Sequence, residues 1–232
     1  MKFIVSKEIF DDIPNALFGV IIARGIDNHK SYDWIKGMLD ESIDNCKKFY
    51  EGKVVKESAP ITYYRDAFRA LGINPNKFMC SIEALVTRTV KKGEMPNINT
   101  LVDLGNALSL KYNIPLGIHD IDHFSGNMEI KKATGNEDFI PFGGETVEHP
   151  DKGEVIYVSG SDVKTRRWTW RQGENSKITE DTTNVFIPLD AFLENKEDML
   201  KLQSEFTDIL KNKLGAEVSI GIVDKDNNEF EF

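Results

Sequence analysis

The chain has 232 residues, 40% hydrophobic and 29% charged, with a net charge of −9. That profile suits a globular protein with enough apolar mass for a core. It excludes a protein that coats itself in nucleic acid by bulk charge, so any phosphate contact must come from a local basic patch on an acidic body. No apolar run approaches the ~20 residues that cross a bilayer, and Lys2-Phe3-Ile4-Val5-Ser6 turns polar too soon for a signal peptide. A cytoplasmic protein with no membrane partner is the expectation. Cys46 and Cys80 are isolated and lack metal-ligand spacing, so buried free thiols in a reducing compartment are expected.

In chain order, Lys2 to Ser6 reads as a strand. Leu17 to Arg24 is a continuous apolar run bounded by Asn15 and Gly25, hence a buried strand. Ser31 is placed to cap a helix reaching Tyr50, with Trp34, Ile35, Met38, Leu39, Ile43 and Cys46 as its apolar face. A short helix follows from Tyr64 to Leu71, ended by Gly72, and another from Ser81 to about Val90, ended by Gly93. Arg65, Arg69, Lys77, Arg88, Lys91 and Lys92 make this stretch locally basic, which reads as a solvated helix face or as a phosphate patch.

Between Asn97, in N-cap position, and Asn113-Ile114-Pro115, apolar residues recur at helical spacing: Ile98, Leu101, Val102, Leu104, Ala107, Leu108 and Leu110. Asn106 is a polar side chain within that stripe, and a buried amide needs partners. Pro115-Leu116-Gly117-Ile118 then offers a glycine where backbone comes close to something, and His119, Asp120, Asp122 and His123 follow at once. The pattern reads either as a pocket wall or as a core helix with a polar turn. The two histidines lack a third ligand, so no metal is expected.

From Asn127 onward the period changes to two. Met128 to Lys131, Glu154 to Val158 and Asn184 to Leu189 read as strands, and Phe139 to Phe142 leads to the Gly143-Gly144 turn. Arg166 to Arg171, RRWTWR, alternates: Arg166, Trp168 and Trp170 on one face, Arg167, Thr169 and Arg171 on the other. As a strand it either stacks indoles on a base while guanidiniums hold phosphate, or packs with arginines covering tryptophan. Gln172-Gly173-Glu174-Asn175 supplies a carboxylate beside a glycine, able to read a hydroxyl or amine or to orient water, or simply to turn the chain. Asn195 is placed to cap the last helix, Gly215 ends it, and Val218 to Val223 is the final strand. With helices mostly first and strands later, the fold class is α+β: mixed β-sheets flanked by helices, as one domain over 1–232.

No Walker loop, dinucleotide fingerprint, HExxH or nucleophile elbow occurs. Several segments together nonetheless resemble a known family. Tyr64-Arg65-Asp66-Ala67-Phe68, Pro75, Ser81-Ile82-Glu83-Ala84-Leu85, Asn99-Thr100-Leu101-Val102-Asp103, Asn106, Pro115, Asp120, Arg166-Arg167-Trp168, Trp170-Arg171-Gln172 and Thr182-Thr183-Asn184 look like the B3/B4 domain of the phenylalanyl-tRNA synthetase β subunit, in its free-standing form. The resemblance runs from 64 to 192, with an N-terminal strand and helix extension (1–58) and a C-terminal helix and strand (193–232) around it. It implies the B3/B4 fold, with a pocket between its two parts.

The resemblance also implies a function. In the synthetase that domain edits, hydrolysing tyrosine wrongly attached to tRNA. The family's Thr-Asn pair corresponds to Gly105-Asn106, its pocket histidine to Gly117, with His119 two residues on, and its Gly-Gly-Glu carboxylate to Glu174. The implied activity is a trans-acting editing-type hydrolase acting on mischarged aminoacyl-tRNA or a related ester, and not a complete ligase, since 232 residues leave no room for the aminoacylation machinery. On this reading Asn106, Gly117 and Pro115 shape the aminoacyl site, and Glu174 and His119 are the catalytic candidates. Arg166, Arg167 and Arg171 hold phosphates, Trp168 or Trp170 stacks, and no cofactor is needed. The alternative keeps the fold without the chemistry, as a module binding tRNA or a free amino acid.

Overall fold

The computed structural model describes all residues, Met1–Phe232. Its elements in chain order are β1 (Lys2–Val5), α1 (Lys7–Asp12), β2 (Ala16–Arg24), α2 (Asp33–Tyr50), α3 (Ala59–Ala70), α4 (Ser81–Lys92), α5 (Thr100–Tyr112), β3 (His119–Asp120), β4 (Met128–Lys132), β5 (Val155–Ser159), β6 (Asp162–Arg166), β7 (Arg171–Gln172), β8 (Val185–Phe192), α6 (Lys196–Asp208), β9 (Glu217–Val223) and β10 (Glu229–Glu231). The strands form a six-stranded sheet, β10-β1-β4-β5-β6-β7, and a four-stranded sheet, β3-β8-β2-β9. The architecture is α+β, as expected. No helix is long and apolar enough to cross a membrane.

The four-stranded sheet is the middle layer. β2 is buried along nearly its whole length and pairs antiparallel with both β8 and β9, which explains its unbroken apolar run. On β8, alternate side chains serve two cores. Phe186 and Phe192 join Phe3, Phe18, Tyr157 and Trp168 in the core shared with the six-stranded sheet. Val185, Ile187, Leu189 and Ala191 pack against Leu101, Leu104 and Leu108 of α5 and Met199, Leu202 and Phe206 of α6. By the same alternation Pro188 and Asp190 point into the space between the sheets. β2 therefore belongs to the same sheet as β8, and β1 pairs with β4 and β10, so both terminal extensions supply strands to the sheets they flank.

Local expectations shift in instructive ways. Tyr32, not Ser31, precedes α2, and α3 starts at Ala59 with Pro60 in its first turn, where a missing N–H costs nothing. Asn99, not Asn97, caps α5, its side chain accepting from Val102 N at 3.0 Å; Asn97 instead donates to the Asp103 carboxylate. Asn113 closes α5 at φ 55°, the left-handed cap its side chain tolerates. Asn195 precedes α6 but makes no side-chain cap; it accepts from Phe192 N and donates to the Tyr64 hydroxyl. α1 and β10 were not legible in the pattern, and β9 is not the final strand.

The largest correction is RRWTWR. It is a turn rather than a strand: β6 stops at Arg166, β7 starts at Arg171, and Arg167 and Trp168 have φ of 46° and 58°. Trp170 N donates to Arg166 O at 3.2 Å and Trp168 N to Val155 O at 2.7 Å. Two consecutive left-handed residues without glycine are strained, and burial of the Trp168 indole holds them there.

Candidate functional site

Two adjoining hollows, one beside α5 and one between the sheets, share Leu116 and Gln172 as walls. Gln172 is fixed in that position by donating to Ile118 O at 2.9 Å. The outer hollow, 240 Å³, lies beside α5, where Asn106, Gln172 and Lys177 meet an apolar lining that includes Val102, Ile118 and Phe142. The inner one, 70 Å³, reaches between the sheets and is lined by His119, Tyr157, Trp168, Thr169, Arg171 and Asp190, among others.

His119 is almost fully buried because β3 pairs it with Phe186, which turns its ring toward the six-stranded sheet. The imidazole stacks on Tyr157 with centroids 6.3 Å apart, and Nδ1 lies 3.0 Å from Ser176 Oγ. Burial, with a smaller push from the Lys164 ammonium, depresses its pKa to about 3, so the ring is neutral at pH 7. Gly117 is what makes room for it: a Cβ there would sit 2.8 Å from His119 Nε2. The side chain two residues on therefore occupies the space that a residue larger than glycine at 117 would fill. Pro115 is buried, and its carbonyl accepts from Asp190 N at 3.1 Å, which ties this segment to β8.

Glu174 lies in a short turn after β7 and lines neither hollow. Its carboxylate accepts from Lys177, which does line the outer one, and from Gly143 N at 2.8 Å. Those two donors, Lys177 foremost, hold its pKa below the usual carboxylate value. Asn106, His119 and Glu174 therefore do not face one cavity: Asn106 lines the outer hollow, His119 the inner, and Glu174 is anchored near the rim through Lys177.

The arginines and tryptophans correct the expected phosphate grip. Each nitrogen of Arg166 donates to a carboxylate, Nε and Nη2 to Glu154 at 2.9 and 2.8 Å and Nη1 to Glu148 at 3.0 Å. That pairing raises its pKa further and leaves it buried. Arg167 pairs with Asp151 at 3.0 Å and Glu154 at 3.3 Å and lies over the Phe78 ring. Trp168 is 1% exposed, so it stacks on nothing from solvent. The packing alternative therefore describes these three: carboxylates from the loop before β5 hold the two arginines, and Asp190 of β8 holds the Trp168 indole N–H. Trp170 is half-buried against Phe78, and Arg171 is exposed beside it without a salt bridge. Arg65 is likewise buried, 2.7 Å from Glu83.

Asp190 was absent from the sequence reading. It is 2% exposed, and its Oδ1 accepts from both the Tyr157 hydroxyl and the Trp168 indole N–H at 2.6 Å. Burial pushes its pKa up to about 7 despite those two donors. A hint was available: an acid inside the apolar run Val185–Phe192 is rare unless partnered. Its partners come from β5 and the turn after β6, which no local pattern connects to β8.

The comparisons with known proteins concern this same region. The family model for the B3/4 domain matches residues 63–211, starting one residue before the expected resemblance and extending past it through α6. The chain is similar to the phenylalanine–tRNA ligase beta subunits of Fusobacterium nucleatum (26% identical over 186 residues, 77% of this chain and 20% of that one) and Staphylococcus haemolyticus (25% over 196 residues, 81% and 22%). It thus spans about a fifth of the length of these relatives. Its fold is similar to that of an N-terminal fragment of the phenylalanyl-tRNA synthetase beta subunit from Pyrococcus horikoshii, with TM-score 0.50 and 14% identity over 93% of this chain and 49% of that one.

Proposed function

The chain belongs to the B3/4 domain family, and from that premise we propose that it is a trans-acting hydrolase of mischarged aminoacyl-tRNA or a related aminoacyl ester. The observation that carries this reading is the pair of adjoining hollows: one apolar with an amide and an ammonium at its edge, the other polar with a neutral imidazole. In this proposal the outer hollow takes the amino-acid side chain, with Asn106 and Lys177 orienting it. The ester lies over the Leu116–Gln172 divide. Such an ester is already activated, so a water held in attack geometry supplies much of the rate. His119 Nε2 orients that water, and Glu174 keeps Lys177 in place. Arg171 meets the backbone phosphate at the mouth, the protein works in the cytoplasm where charged tRNA is found, and residues 1–232 act as a single domain.

The test is deacylation of a panel of charged tRNAs by purified protein. We expect turnover of at least one aminoacyl group, reduced in Asn106→Ala and His119→Gln. No rate above buffer for any amino acid ends the reading. A binding module without catalysis is the second reading, favoured by one observation: an imidazole whose pKa is about 3 is a weak base at neutral pH. It predicts saturable binding of a charged tRNA that leaves the ester intact.

A further inference from the structure

β9 is the outer strand of the four-stranded sheet, and its far edge has no partner strand. Its seven residues pair one-to-one with β2, from Glu217 opposite Arg24 to Val223 opposite Phe18, without a bulge. Which of its backbone groups face outward follows from β8. Asp190 N donates to Pro115 O, and Pro188 O accepts from Gly117 N, so the backbone groups of Ile187 and Leu189 point the other way, toward β2. Their partners Ile21 and Gly19 point back at β8. By alternation Val20 and Ile22 point at β9, where Gly221 and Ser219 point back at them. Val218, Ile220 and Ile222 are left with their N–H and C=O groups directed away from the sheet, and no other segment bonds them. Their side chains share one face. Val218 and Ile222 are half-buried at the margin of the core under α6, and Ile220 between them is 49% exposed. Native edges are blunted by charges, prolines or bulges, and from Val218 to Val223 this one has none.

From this geometry we infer that the β9 edge is a self-association surface whose occupant is β9 of a second copy of this chain, antiparallel across a twofold axis at Ile220. In that register Val218 lies opposite Ile222 of the second copy and Ile220 opposite its own counterpart. Every outward N–H then meets an outward C=O, and the apolar side chains of both strands fall on one face, continuing each core across the axis. Charge complementarity favours the same arrangement. Lys211 and Lys213 stand exposed in the turn that leads into β9, and Asp224 and Asp226 stand in the turn that leaves it. Glu217 and Lys225 offset one charge at each end and leave both signs as they are. An antiparallel copy lays the basic end of one strand beside the acidic end of the other, twice by symmetry, whereas a parallel copy lays like beside like. β9 lies beyond the residues 63–211 that the family model matches, and the inference is independent of the hydrolase reading.

The experiment is sedimentation equilibrium of the full chain over a concentration series, with amide hydrogen exchange measured at both ends of it. We expect the mass to rise to that of a dimer. The amides of Val218, Ile220 and Ile222 should become protected as it does, while Ser219 and Gly221, already facing β2, change little. Ile220→Lys brings two ammonium groups together on the axis and should raise the dissociation constant about tenfold or more. Lys211→Asp should weaken the dimer about threefold, and adding Asp226→Lys should recover the loss. All three substitutions are at exposed positions, and circular dichroism checks that each variant folds. The inference is overturned if the chain is monomeric throughout the series, or if a dimer forms with those three amides exchanging as they do in the monomer. It is equally overturned if folded Ile220→Lys dimerises as tightly as the wild type, or if the charge exchange recovers nothing. The exchange measurement needs no variant, so it decides the matter even where a substitution disturbs the fold.

Discussion

Asp190 makes an unusual demand on stability, and replacing it with asparagine exposes it. In the folded protein its pKa stands at about 7, against an ordinary value of 3.8, chiefly because burial penalises the charge. The folded state therefore keeps the proton over a range in which the unfolded chain has released it. The stability this contributes is complete below pH 3.8 and is lost as pH rises to about 7, a difference of about 4 kcal/mol. Asparagine retains the acceptor for Tyr157 and Trp168 but cannot ionise. Urea unfolding of wild type and Asp190→Asn from pH 4 to pH 8, with unchanged m-values, should show curves that diverge with rising pH, the variant gaining about 4 kcal/mol relative to wild type across the window. Because the comparison is between two proteins differing at one site, every other titrating group cancels. Parallel curves would mean that the carboxyl is ionised at little cost, and the picture of an acid sealed between the sheets would be wrong.

Other outcomes follow from the same geometry. His119 has the opposite dependence: its depressed folded-state pKa contributes stability above pH 6.5 that is lost as pH falls toward 3, about 5 kcal/mol in all, so His119→Gln should flatten the acid limb of wild-type unfolding. Gly117→Ala places a methyl 2.8 Å from His119 Nε2 and should cost about 1–3 kcal/mol; adding His119→Ala should recover part of that loss in a double-mutant cycle. Arg166→Met takes two charged donors from buried Glu154 and leaves it only Arg167 as a cationic partner, and should cost about 2–3 kcal/mol in thermal or urea unfolding. Arg171→Ala should leave the fold unchanged and, if the chain binds tRNA, reduce the salt slope of binding by about one.

The pattern of residues was enough for the α+β class, the buried strands β2, β5 and β8, the helices α2, α4 and α5 and the helix stops at Gly93 and Asn113, because each depends on periodicity or turn chemistry within a few positions. The same holds for Gly117 and His119 as neighbours on one wall, since their spacing is local. Tertiary structure alone decided what the charged and aromatic residues do. RRWTWR carries an alternation that a strand would use, yet long-range partners — Glu148, Asp151 and Glu154 for the arginines, Asp190 for Trp168 — bend it into a turn and bury it. Asp190 itself is one acid in an apolar run until β5 and the β6–β7 turn arrive above it. Periodicity reports which side of an element faces a core, but the partner of a buried charge is set by which distant segment the topology lays against it, and that determines whether the charge is paired, neutral or available to a ligand.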